Sequence, residues 1–109
     1  MSLLLVRHRV KDYSQWKDEF SRSEELRMQY GLRGGSISRN QDDPHELIVC
    51  LECDDLGKAR EFMQSQEIKD CMSRAGVIDF PDIYFLEEVD AVPEPVHARS
   101  RQDMFDLDE

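Results

Sequence analysis

The sequence has no long apolar run. Its longest aliphatic stretch, Leu3-Leu4-Leu5-Val6, ends against Arg7-His8-Arg9. A membrane-crossing helix needs about 20 apolar residues and a signal-peptide core at least about 7, so neither is expected and the chain reads as cytoplasmic. Cysteine is scarce and odd in number, with three residues, which argues against a disulfide framework and fits a reducing compartment. Positive charge is outweighed: 14 Lys and Arg stand against 24 Asp and Glu, a net charge of -10. Such a surface repels phosphate backbones and anionic lipid, so nucleic acid and membranes are not expected partners.

The five glycines form neither a phosphate loop nor a dinucleotide fingerprint, so no nucleotide cofactor is expected. Metal ligation is also unsupported. His8, His45 and His97 are scattered, and Cys50-Leu51-Glu52-Cys53 lies inside an apolar strand. Residues three apart in a strand point to opposite faces, so the two thiols do not converge on one ion. No cofactor and no metal are expected.

What is present describes one soluble α+β domain. The 109 residues are 39% hydrophobic and 35% charged, and a chain of this size supports a single core. Ser2 to Val10 reads as a strand. Asp12 is placed to cap a helix over Tyr13 to Tyr30, whose apolar stripe is Tyr13, Trp16, Phe20, Leu26 and Tyr30, ended by Gly31. Leu32 to Asn40 is a second strand, with Gly34 and Gly35 marking a bulge or a close backbone approach. Asn40 to Pro44 is a turn, and His45 to Cys53 the third strand, with Leu47, Val49 and Leu51 on one face and Ile48 and Cys50 on the other. Asp55 precedes a helix from Leu56, Ser65 starts a second helical piece running to Ala75, and Gly76 ends it. Ile83 to Val89 is the last strand. The order βαββαβ predicts a ferredoxin-like, four-stranded antiparallel sheet with both helices on one face.

Two helical layers cover one sheet face only. The first strand is apolar in both registers, Leu3 and Leu5 as well as Leu4, Val6 and Val10, and so is the third. The second face therefore needs a cover: a second copy packed by a two-fold axis supplies it, which predicts a homodimer, and the alternative is a monomer covered by its own tail. Residues 1–92 form this domain. From Pro93 a tail with five acidic and two basic residues, net -3, is expected to be flexible, with an apolar cluster at Met104-Phe105-Asp106-Leu107.

Over Leu3 to Val89 the chain resembles the antibiotic biosynthesis monooxygenase-like proteins of the dimeric α/β-barrel superfamily. The resemblance rests on Leu5-Val6-Arg7-His8-Arg9-Val10, on Leu51-Glu52-Cys53-Asp54-Asp55, and on Phe62 followed by Ser65-Gln66-Glu67-Ile68-Lys69. The Asn40-to-Pro44 turn and Ile83 to Val89 also look like a subgroup of small cyclase-like proteins. The superfamily includes oxygenases of aromatic polyketides, haem-degrading monooxygenases, cyclases and isomerases, so the resemblance specifies fold better than reaction. Aligned with the haem-degrading branch, His8 replaces its asparagine, Cys53 its tryptophan and Met72 its iron-ligating histidine. None matches, and haem degradation is not implied.

The same positions mark a ligand pocket: the resemblance gathers His8, Cys53 and Met72 around one cavity with Val6 as an apolar wall, and Tyr84 is a further candidate donor. His8 lies between Arg7 and Arg9, two cations that favour its neutral form, and a neutral imidazole in an apolar pocket can act as a general base. Trp16 reads as a core anchor of the first helix. Two functions follow. One is a cofactor-independent oxygenase, cyclase or isomerase that uses His8 on a small apolar or aromatic substrate. The other is a non-catalytic dimer that binds a small hydrophobic molecule. His8→Ala separates them, since only the first loses turnover.

Overall fold

The computed structural model describes residues 1–95. The Met104-to-Leu107 cluster and nearly all of the expected tail lie outside the described residues. Strands β1 (Ser2–Arg9), β2 (Leu32–Arg39), β3 (Glu46–Cys53) and β4 (Asp82–Glu87) form one antiparallel sheet in the order β2-β3-β1-β4. Helices α1 (Tyr13–Arg22), α2 (Glu24–Gln29), α3 (Leu56–Gln64) and α4 (Gln66–Ala75) provide the crossovers, giving the expected ferredoxin-like fold. No helix among the described residues is long and apolar enough to cross a membrane.

Strict alternation on β1 and β3 builds the core. Leu4, Val6 and His8 face the helices together with Leu47, Val49 and Leu51, which are all buried. Trp16, Ala59 and Phe62 come down onto them from α1 and α3. The caps follow the expected chemistry. The Asp12 side chain accepts from the Gln15 N–H, that of Asp55 from the Gly57 N–H and that of Ser65 from the Ile68 N–H, and each such cap contributes about 1 kcal/mol. Gly76 ends α4 in the left-handed region, at φ 80°.

Two elements differ from expectation. The continuous helix from Tyr13 to Tyr30 is divided at Ser23, whose hydroxyl donates to the Glu19 carbonyl at 2.8 Å while its N–H is shared between the Glu19 and Phe20 carbonyls. A serine bonded back to the preceding turn bends a helix in this way. The last strand stops at Glu87 instead of Val89, followed by one further backbone bond, from the Glu88 N–H to the Met1 carbonyl at 2.7 Å. The bulge anticipated at Gly34 and Gly35 is present: the β2–β3 register shifts between Leu32 and Gly35.

Candidate functional site

The inner sheet face and the helices do not close on one another completely. A cavity of about 70 Å³ remains between β1, β3, α1 and the α3–α4 pair. Leu4, Val6, Val49 and Leu51 form its floor, Trp16 and Phe20 one wall, and Phe62, Met63 and Met72 the other. A dry apolar cavity of about 150 Å³ holds benzene, so a ring-sized ligand enters only if this wall gives. Met63 and Met72 are the side chains suited to do so, being unbranched and only partly buried.

His8 interrupts the apolar floor. It is 3% exposed, and its Nε2 lies 2.9 Å from Nε1 of Trp16, itself 4% exposed. An indole N–H can only donate, so Nε2 is the acceptor and the neutral ring carries its proton on Nδ1. That Nδ1 is buried with no hydrogen-bond partner among the described residues. The contact is set by chain geometry: β1 ends at Arg9, Asp12 caps α1, and the first turn of α1 places Trp16 above His8. Phe20 then stacks on Trp16, with centroids 4.9 Å apart and planes 19° from parallel.

The His8 pKa is lowered, as expected, but for another reason. Burial is the main cause. Arg7 contributes least and is countered by Asp79. Arg7 and Arg9 point away from His8 and are already paired, Arg7 with Asp82, Glu46 and Asp79, and Arg9 with Asp43. The lowered value has a consequence for stability. Above the ordinary value of 6.5 the ring is neutral in both folded and unfolded chains, and stability is unaffected. As pH falls through 6.5 the unfolded chain takes up a proton that the folded chain refuses, so stability declines until the folded value is reached. The slope is at most about 1.4 kcal/mol per pH unit. Urea titrations between pH 7 and pH 5 should show this decline in the native protein and a flatter profile in His8→Gln.

The other sequence-derived candidates separate. Val6 and Met72 line the cavity with His8. Cys53 does not: it closes the far end of the inner face beside Leu32 and Ser2, its thiol turned to the Leu51 carbonyl. Burial pushes that thiol up, which keeps it protonated and poorly nucleophilic. Tyr84 lies on the opposite sheet face, in register with Leu5 and 53% exposed, because Ile83 and Phe85 take the inner positions of β4. Cys50 also pairs with Leu5 on that outer face, so the two thiols of the Cys50–Cys53 motif are separated by the sheet.

Three cavity residues escaped the sequence reading: Glu19, Ser23 and Arg27. Glu19 is buried and held by Arg74 at 3.2 and 3.3 Å. Arg27 lays its guanidinium on the Phe20 ring, 3.7 Å from the centroid, and donates to the Phe20 carbonyl at 2.6 Å. The available signal was periodicity, since Ser23 and Arg27 fall on the helical line of Trp16 and Phe20, where apolar residues belong.

No protein-family model and no curated protein sequence matches this chain. Solved structures do. A Bordetella bronchiseptica protein named for antibiotic biosynthesis monooxygenase superposes with TM-score 0.68 at 13% identity, over 81% of this chain and 96% of its own. SnoaB, a cofactor-independent oxygenase from Streptomyces nogalater, superposes with TM-score 0.67 at 13% identity, over 85% and 97%. This chain shares their fold. A conserved protein from Methanosarcina mazei Go1 has it too, with TM-score 0.62 at 14% identity, over 81% and 93%. At these identities the likeness describes architecture, and chemistry has to be argued from the cavity.

Proposed function

We propose that the protein is a homodimeric, cofactor-independent enzyme of the oxygenase or cyclase type, acting on a small apolar or aromatic substrate in the His8–Trp16 cavity. The observation that carries this reading is His8. A buried imidazole, with one nitrogen held by Trp16 and the other unpartnered, lies among the apolar side chains of the cavity floor. Such a group handles an acidic proton or a developing oxyanion where water is scarce. In the oxygenase form, the substrate C–H gives up its proton and the carbanion transfers electrons to dioxygen. The resulting peroxide regains a proton, so RH and O₂ become ROOH with no external reductant. Abstraction by His8 itself requires Trp16 to release Nε2, since that lone pair is engaged.

The dimer rests on the outer sheet face. Leu3, Leu5, Ile48, Cys50, Tyr84 and Leu86 form an apolar field there, rimmed by Arg7, Glu46, Glu52 and Asp82. A contiguous apolar patch with a charged rim is the anatomy of a protein interface. Residues 1–92 are the folding unit in this reading, and the chain works in the cytoplasm.

Dioxygen uptake tests the chemistry. Small phenols and 1,3-diketones offered to the purified dimer should draw uptake above buffer, and His8→Ala should lower it about 10²- to 10⁴-fold, the range of general acid–base catalysis. Uptake no greater than buffer across the whole set sinks the oxygenase reading. The small cavity volume favours one alternative, a non-catalytic dimer that binds a small hydrophobic molecule. In that case both native protein and His8→Ala bind ligand and neither consumes dioxygen.

A further inference from the structure

Arg27 is the one cavity-lining group, among the described residues, whose charge has no ionic partner. The other charged residue there, Glu19, is neutralised by Arg74. Arg27 forms no salt bridge among the described residues, and Glu24 acts on it only through space. Burial lowers its pKa, which marks an undercompensated cation. It is also placed as part of a surface. Its guanidinium stacks on Phe20, Phe20 stacks on Trp16, and Trp16 donates to His8. Along one side of the cavity Arg27, Phe20 and Trp16 are thus stacked face against face, with the cation at one end and the His8 ring, tilted 53° from Trp16, at the other. At that second end the Nδ1–H of a side chain only 3% exposed has no acceptor.

A buried donor without an acceptor and a cation without an ionic partner, at two ends of a largely apolar slot, call for an acceptor-bearing ligand with an apolar body. The protein as a whole carries -10, which repels anions, so a local cation kept free inside a cavity needs a specific counterpart. We infer that the cavity takes its ligand as an oxyanion, a single-ring phenolate or enolate, with Arg27 meeting the charge and His8 Nδ1–H donating to a ligand oxygen. The inference deepens the proposed function and rests on it for the identity of the site. It also removes a difficulty: a substrate that enters already ionised does not require Trp16 to release the His8 Nε2 lone pair.

Equilibrium binding of 4-nitrophenol and nitrobenzene to the full-length protein tests this. The two differ by one hydroxyl, and the phenolate reports its own ionisation by absorbance. The native protein should bind 4-nitrophenolate about tenfold or more tightly than nitrobenzene, the size of a charge-assisted hydrogen bond. The bound phenol should also ionise at lower pH than the free one. Arg27→Gln should erase the preference and leave nitrobenzene within about twofold, while His8→Phe should weaken phenolate selectively. Equal affinities, failure of either ligand to bind, or a preference that survives Arg27→Gln overturns the inference. Should Arg27→Gln not fold, the native protein decides it by pH: its preference for nitrophenol over nitrobenzene must grow as the bound phenol ionises, and a preference equal for the neutral and ionised forms overturns the inference. Dioxygen uptake is read separately. A phenolate preference without uptake overturns only the oxygenase reading, and uptake with no preference overturns only this inference.

Discussion

Gly35→Ala is expected to cost about 3 kcal/mol or more, and Gly34→Ala less than about 1 kcal/mol, although the two glycines are adjacent. A Cβ at position 35 would sit 1.9 Å from the Cys50 carbonyl oxygen, 2.8 Å from its carbon and 2.9 Å from the Leu51 Cα. All three atoms are backbone of β3, the strand between β2 and β1, so no side chain can swing aside. The strands must separate locally, losing pairing where Gly35 meets Leu51 and Ser36 meets Cys50. The cost combines overpacking, about 1–3 kcal/mol, with ladder hydrogen bonds worth about 1 kcal/mol each. At Gly34 a Cβ meets nothing within 4 Å, and neither glycine has a positive φ. Removing chain entropy from the unfolded state makes Gly34→Ala neutral or slightly stabilising. Urea unfolding of both variants decides it, and equal midpoints would falsify the close-approach account.

That pair shows what a sequence can and cannot carry. Two adjacent glycines in a strand announced a bulge or a close approach, but which glycine did which depended on where β3 lies. Caps at Asp12, Asp55 and Ser65, the end at Gly76 and the alternation of Leu47, Val49 and Leu51 were legible because each has a local cause. The break at Ser23 was not, since a serine within a helical stretch does not announce whether its hydroxyl turns back to a carbonyl one turn away. Here it does, and it also faces Cys71 across the packing of α1 on α4. Cavity residues divide in the same way. Val6, His8 and Met72 came from a resemblance that marks positions in the fold. Tyr84 and Cys53 fell elsewhere, Tyr84 because a one-residue difference in register reverses a strand residue's face. The His8–Trp16 bond joins a strand to a helix and belongs to neither segment alone. Arg27 was visible only as a polar residue on an apolar stripe, and the stripe supplied no reason for it until its guanidinium was seen against Phe20.

Leu5→Glu tests the proposed dimer with an effect of comparable size. Leu5 sits in the middle of the outer face, with Cys50 on one side and Tyr84 on the other. Within one chain it is only half buried and turned away from the core, so the substitution leaves the monomer's packing intact. In a face-to-face dimer the same residue is covered, and a two-fold operator introduces the carboxylate twice. Leaving a buried charge unpaired costs about 3–5 kcal/mol, and even one such penalty weakens association roughly 150- to 5,000-fold. On the rim Glu46, Glu52 and Asp82 outnumber Arg7, which pairs with two of them, so the new charge gains no free cation there. Sedimentation velocity should therefore give a dimer for the native protein and a monomer for Leu5→Glu at the same micromolar concentration, with the far-ultraviolet circular dichroism unchanged. The two readouts together carry the decision: monomer with lost ellipticity reports only unfolding, and Leu5→Arg then repeats the test with the rim acids as partial compensation. An undiminished dimer in both variants would place the interface somewhere other than the sheet. The cavity would be affected differently in the two cases. His8 and Trp16 lie on the helix-facing side of the sheet, so a sheet-to-sheet dimer leaves their access from the helix side open, whereas an interface over α1 and α4 would close it.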